Sequence, residues 1–137
     1  MVGIVVVAHG DLAKELISVV NFVLSSNPSV QMLGVSLDPN REFDTFKHDI
    51  KNAIKKVKAK DGTLLVTDMF GGTPSNISLT FLEENKVEVV SGVNLPMLLK
   101  LATLADKVTL EEAVKIAETA GRDNIIVASK LLKNRSS

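Results

Sequence analysis

The sequence predicts an α/β fold, a single doubly wound and mostly parallel sheet flanked by helices. Three observations carry this. Short β-branched runs alternate with stretches of helical spacing, the first run lacks the polar alternation of a half-exposed strand, and Gly or Pro punctuation recurs where a run gives way to a helix. Residues 2–8, "VGIVVVA", form the first such run and read as a strand buried on both faces. The spacing of Leu12, Leu16, Val19 and Val23 predicts a helix after it. "QMLGVSL", residues 31–37, is the second strand, and Phe43, Phe46, Ile50, Ile54 and Val57 give the next helix an apolar stripe. The turn "KDG" at residues 60–62 ends that helix, and "TLLVT" supplies the third strand. "VEVV", residues 87–90, is the fourth. A later helix has Thr109 as N-cap, Glu112 at its capping-box position and Gly121 as its expected C-terminal stop. "NIIVAS", residues 124–129, reads as a fifth strand, followed by a polar, frayed "KNRSS".

Composition narrows the function. The chain has 137 residues, enough for one core and short for two, so residues 1–137 are expected to form a single domain. Lys and Arg total 16 against 16 Asp and Glu, which leaves no basic excess for a nucleic-acid backbone or an anionic membrane. The absence of cysteine removes disulfides, thiolate nucleophiles and Cys-rich metal sites together. The strongest apolar run is too short to span a bilayer and no charged leader with a cleavage site precedes it. A cytoplasmic protein is the expectation.

In open α/β sheets, ligands gather beyond the carboxyl ends of the strands, where strand order reverses. His9 follows the first strand in "VVVAHGD" and Asp68 follows the third in "LLVTDMF", so a strand order of 2-1-3-4 makes their strands neighbours. An Asp68 carboxylate accepting the Nδ1 proton of His9 would fix the tautomer and leave Nε2 as a free nucleophile. Either residue alone is more often structural: a lone histidine is usually hydrogen-bonded in place, and an aspartate after a strand often only turns the chain. "GGTPSN" strengthens the pair. Gly71 and Gly72 permit close backbone approach, Thr73 can cap, and Pro74 favours a helix start whose free N–H groups attract an anion. No "GxxxxGK[ST]" sequence occurs, which points to a phosphoprotein as phosphoryl donor in place of ATP held in a P-loop. His48, between Lys47 and Asp49, reads as a solvated surface residue. "SGVNLPML" repeats the Gly, Asn and Pro punctuation after the fourth strand. Its Asn94, Leu95, Pro96 and Met97, with Met69 and Phe70, are candidates for a partner-docking surface, and the apolar ones equally for core.

At "VVVAHGDLAKEL", "LLVTDMFGGTPSN" and "SGVNLPMLL" the chain resembles the mannose-family IIA component of the bacterial phosphoenolpyruvate-dependent sugar phosphotransferase system, over nearly its whole length. The resemblance implies a phosphotransferase in which His9 takes a phosphoryl group on Nε2 from the phosphocarrier protein HPr and passes it to a IIB component. Membrane IIC and IID components then act in sugar uptake. It implies that Asp68 orients the imidazole and that Gly71, Gly72 and Thr73 receive the phosphoryl group, with neither metal nor cofactor. It also implies a homodimer in which a C-terminal strand, here within "NIIVASKLL", lies antiparallel on the partner's sheet. Some members continue into a IIB domain, whereas this sequence stops at Ser137, so a separate IIB acceptor is expected. Ser75 stands where many relatives carry a larger apolar or aromatic residue, which affects the expected docking surface.

Three other functions compete. The phosphotransfer subunit of dihydroxyacetone kinase begins with a related domain and keeps the same chemistry with another acceptor. A receiver-like signalling module phosphorylated on Asp68 needs an acidic cluster for Mg²⁺, and only Asp11 is close after the first strand. A phosphatase or mutase with a histidine nucleophile needs an arginine cage, and Ala8 precedes His9.

Overall fold

In the computed structural model residues 1–25, 29–57 and 59–136 are described, with side chains as far as 133. The elements run β1 (Gly3–His9), α1 (Leu12–Leu24), β2 (Met32–Leu37), α2 (Phe43–Lys56), β3 (Thr63–Thr67), α3 (Thr73–Leu79), β4 (Val87–Ser91), α4 (Leu95–Ala102), α5 (Leu110–Asp123) and α6 (Ala128–Ser136). The four strands form one parallel sheet in the order β2-β1-β3-β4, as the sequence predicts.

Period-two alternation along β1 and β3 divides the interior into two cores. Ile4, Val6, Ala8, Leu64 and Val66 face α1, α4 and α5, where Ala13, Val20, Leu98, Leu101, Ala113 and Ala117 are buried. Val5, Val7 and Leu65 face α2 and α3, where Phe46, Ile50, Ala53 and Ile77 close the opposite layer. Each fully buried Val, Ile, Leu or Phe side chain contributes about 1.5–3 kcal/mol, so these two central strands anchor the fold. A turn occurs at residues 60–62, the Gly62 N–H donating to the Ala59 carbonyl at 3.4 Å, but α2 has already ended at Lys56, ahead of it. Thr109 and Glu112 form the reciprocal capping box of α5.

Four further expectations are corrected. In α1 the buried positions are Ala13 and Val20, with Leu16, Ile17 and Leu24 packed beside them, while Leu12, Val19, Phe22 and Val23 face outward. The apolar arc of α1 is wider than the face it buries, so the pattern alone does not fix its rotation. Its closest approach decides instead: a Cβ built on Gly34 of β2 would lie 3.2 Å from Ile17 and 3.3 Å from Ala13. Phe43 at the start of α2 is likewise exposed. Gly121 does not stop α5, which continues to Asp123. Gly121 instead lies close against α4, where a Cβ would come within 2.9 Å of the Met97 Cε and the tip of that side chain would have to shift.

The last correction is the fifth strand. Residues 125–127 carry no regular secondary structure in this single chain, and α6 takes residues 128–136, including all of "KNRSS" but Ser137, which lies outside the described residues. β-branched Ile125, Ile126 and Val127 suit a strand only where a ladder is offered, and in the single chain they stay exposed.

Candidate functional site

β1 and β3 are neighbours, yet the chain leaves β1 toward β2 on one side and leaves β3 toward β4 on the other. Their carboxyl ends therefore border the crevice where order reverses. Val7 pairs with Thr67, so His9 and Asp68 emerge side by side just beyond that last pair.

The two side chains meet. His9 Nδ1 lies 2.7 Å from Asp68 Oδ2, and the same oxygen accepts the His9 backbone N–H at 3.0 Å. Asp68 Oδ1 accepts the backbone N–H of Met69 at 3.0 Å. Burial is the largest single influence on the Asp68 carboxyl and pushes its pKa up. The hydrogen bonds from the His9 backbone and ring, the His9 charge and the Met69 N–H together outweigh it, holding Asp68 below its usual value. An ionised carboxylate only accepts hydrogen bonds, so Nδ1 carries a proton, and in the neutral ring the lone pair lies on Nε2. The Asp68 side chain is 12% exposed and the His9 side chain 48%, which is a covered orienting group beside an accessible ring.

The glycine pair sits against that ring. Gly71 has φ of +86°, a left-handed conformation that favours glycine. Gly72 has φ of −84° and is glycine for another reason: a Cβ would lie 3.1 Å from His9 Cε1 and 3.6 Å from Nε2. Gly72, not Thr73, is the N-cap of α3, without a side-chain cap, and Thr73 is the first helical residue, with Pro74 following. Thr73 is exposed and the helix start faces the ring through Gly72.

The docking candidates separate. Met69 and Phe70 are exposed, Phe70 by 75%, and so is Leu12 at the start of α1. Leu95 and Pro96 are half-buried, and Met97 is buried in the core beside Gly121. The Asn94 side chain accepts the Met97 N–H at 3.1 Å and donates to the Gly121 carbonyl at 2.9 Å, tying the start of α4 to α5. Ser75 points inward and is fully buried, so its size acts on the interior rather than on the outer surface. His48 is exposed on α2, as expected.

A set of hydroxyls behind Asp68 escapes the sequence reading. Thr67 Oγ1 donates to Ser91 Oγ at 2.6 Å, and Ser75 Oγ lies 3.4 Å from Ser91 Oγ. The only hint in the sequence is a polar residue ending each of two apolar strands, which the register then places opposite one another. Among the described residues no group of three or more His, Asp or Glu side chains could hold a metal ion, and no helix is long and apolar enough to cross a membrane.

This geometry defines an α/β protein with a polarised, accessible imidazole at the switch point of its sheet. The family model described as "PTS system fructose IIA component" matches residues 3–118, and the chain belongs to that family, a IIA-type phosphocarrier component of the sugar phosphotransferase system. The Bacillus subtilis "PTS system fructose-specific EIIA component" is 23% identical over 97% of this chain and 90% of its own length. The "PTS system sorbose-specific EIIA component" of Lacticaseibacillus casei is 30% identical over 81% and 79%. This chain spans only 38% of the Escherichia coli "PTS system mannose-specific EIIAB component", at 27% identity. Among solved structures, EIIA from Streptococcus agalactiae superposes with a TM-score of 0.81 at 22% identity, over 95% of this chain and 99% of that one. The PTS IIA protein associated with the fucose utilization operon of Streptococcus pneumoniae gives a TM-score of 0.76 at 28% identity, over 96% of each chain.

Proposed function

We propose that His9 is the phosphorylated residue, taking its phosphoryl group from phospho-HPr and handing it to a IIB component. One observation carries the reading: Nδ1 is held by Asp68 at 2.7 Å on a ring that remains half exposed. The Nε2 lone pair attacks phosphorus, the donor's phosphorus–nitrogen bond breaks, and its electron pair returns to the donor imidazole. Nδ1 keeps its proton, and the Asp68 carboxylate offsets the positive charge that the ring acquires. Gly72 gives the phosphoryl group room beside Nε2, where the N–H groups at the start of α3 and the Thr73 hydroxyl receive its oxygens. Transfer to IIB reverses these steps.

The exposed Met69 and Phe70, between Asp68 and Gly72, offer the apolar surface against which protein partners dock. The site is an open mouth, in keeping with a protein donor; clefts of about 330 and 370 Å³ lie elsewhere, beside β4 and along β2. A phosphorylated Asp68 is disfavoured by the three hydrogen bonds its oxygens already accept. This reading places the chain in the cytoplasm.

A homodimer is part of the proposal. Ile125, Ile126 and Val127, between α5 and α6, are exposed, Ile125 by 74%, and β4 ends the sheet with its outer edge bridged by Glu83 at Val87, so that residues 125–127 of a partner can extend the rest of that edge. Sedimentation equilibrium is expected to give twice the chain mass, and Ile126→Lys is expected to lower it toward the monomer.

Incubation with phosphoenolpyruvate, enzyme I and HPr, followed by intact mass measurement, tests the phosphorylation site. One acid-labile phosphate is expected on the wild type and none on His9→Ala. Equal phosphorylation of His9→Ala would overturn the assignment.

A further inference from the structure

The last residue of β3 is held more firmly than a strand end requires. The Thr67 carbonyl accepts the backbone N–H groups of both Gly92 and Val93, at 3.0 and 3.1 Å. Its side chain is fully buried and donates to Ser91 Oγ at 2.6 Å. Ser91 Oγ in turn lies 3.4 Å from the hydroxyl of Ser75, which is also fully buried and belongs to the first turn of α3. One oxygen atom at the end of β4 thus lies between the residue before Asp68 and the helix whose start covers the His9 ring.

Resting on the assignment of His9 as the phosphoryl acceptor, we propose that Ser91 is a positioning residue, its hydroxyl setting the Asp68 side of His9 and the α3 side of His9 in a fixed relation. The need for such a link follows from the connectivity. Asp68 and Gly72 are joined by Met69, Phe70 and Gly71, which are exposed and do not anchor the loop by packing. Packing of Pro74 and Ile77 holds α3 against the sheet, and the Ser91 hydroxyl adds the polar link that sets its first turn against the end of β3. A buried hydroxyl pair also has one favoured geometry, because an unpaired hydroxyl in the interior is costly. Among the described residues the Thr67 hydroxyl has no other side-chain partner to turn to, and the Ser75 hydroxyl has none besides Ser91. Neither Ser91 nor Thr67 touches the phosphoryl group in this account; they act through the placement of Asp68 and Gly72.

The test measures the rate of His9 phosphorylation across a range of phospho-HPr concentrations for Ser91→Ala, Ser91→Thr and Thr67→Val, with imidazole nitrogen shifts recorded in parallel. Misplacement of a reacting group lowers the chemical rate more than the affinity, so Ser91→Ala is expected to lose about tenfold in maximal rate with little change in half-saturation. Ser91→Thr, which keeps the hydroxyl, is expected to restore the rate, and the nitrogen shifts of His9 are expected to move in Ser91→Ala but not in Ser91→Thr. The Ser91→Ala, Thr67→Val double variant is expected to be no slower than either single one, since both break the same link. Thr67→Val preserves volume and carries the comparison should Ser91→Ala fail to fold. An unchanged maximal rate in both variants would overturn the proposal, as would a raised half-saturation alone, which would make Ser91 part of a docking surface. Phosphorylation persisting in His9→Ala would remove the underlying assignment instead, a result separable from these.

Discussion

Asp68 Oδ2 binds His9 at two points, accepting the backbone N–H at 3.0 Å and the ring Nδ1 at 2.7 Å. A single oxygen therefore fixes both the end of β1 and the rotation of the imidazole it carries. The backbone bond holds the histidine beside the carboxylate, so the fold itself sets which ring nitrogen faces Asp68.

Removal of the carboxylate is expected to cost phosphotransfer before stability. Asp68→Ala frees the ring to turn, and phosphorylation at saturating phospho-HPr is expected to fall about a hundredfold. Quench-flow rates measure this, and a rate within about twofold of the wild type would exclude an orienting role.

The same carboxylate predicts a pH dependence. Its folded pKa is depressed, so its contribution to stability is complete above the unfolded value of about 3.9 and is lost as pH falls through the folded value. Urea unfolding of wild type and Asp68→Asn across this acid range is expected to give a stability difference that shrinks as pH drops. A difference constant with pH would mean that the hydrogen bonds to Asp68 are not retained in solution.

The two glycines predict opposite signatures. Gly72→Ala leaves the backbone unstrained at φ of −84° but sets a methyl 3.1 Å from His9 Cε1. Phosphorylation is expected to fall at least about tenfold, with stability changed by less than about 1 kcal/mol. In Gly71→Ala the new methyl has no neighbour within 4 Å while φ is +86°, so a stability loss of about 1 kcal/mol is expected from the backbone. Chemical unfolding and phosphorylation rates on the same two variants separate the effects.

The capping box of α5 gives a control far from the chemistry. Thr109 Oγ1 accepts the Glu112 N–H at 3.1 Å, and Thr109→Ala is expected to cost about 1 kcal/mol in urea unfolding. Its phosphorylation rate is expected to match the wild type.

What the sequence revealed followed from how local each signal was. β1 and β3 are buried on both faces, so their unbroken apolar runs marked them, and the polar residue after each run marked the site. The rotation of α1 was hidden because Leu12, Val19, Phe22 and Val23 are as apolar as the residues that pack inward. Gly34 settles it from a strand distant in sequence. The strand expected at residues 124–129 read correctly for β propensity, but a strand exists only where a partner offers a ladder. Ser75, Ser91 and Thr67 carried no local pattern, and only the register of β3 with β4 brings them together.

The central claim is that the phosphoryl group sits on Nε2 while Asp68 holds Nδ1. Phosphorylating the ¹⁵N-histidine-labelled protein from phosphoenolpyruvate and recording nitrogen–phosphorus coupling tests it directly. Coupling to Nε2 of His9 is expected, with Nδ1 still protonated. Coupling to Nδ1, or a phosphate that shows no nitrogen coupling and is lost in alkali, would contradict it.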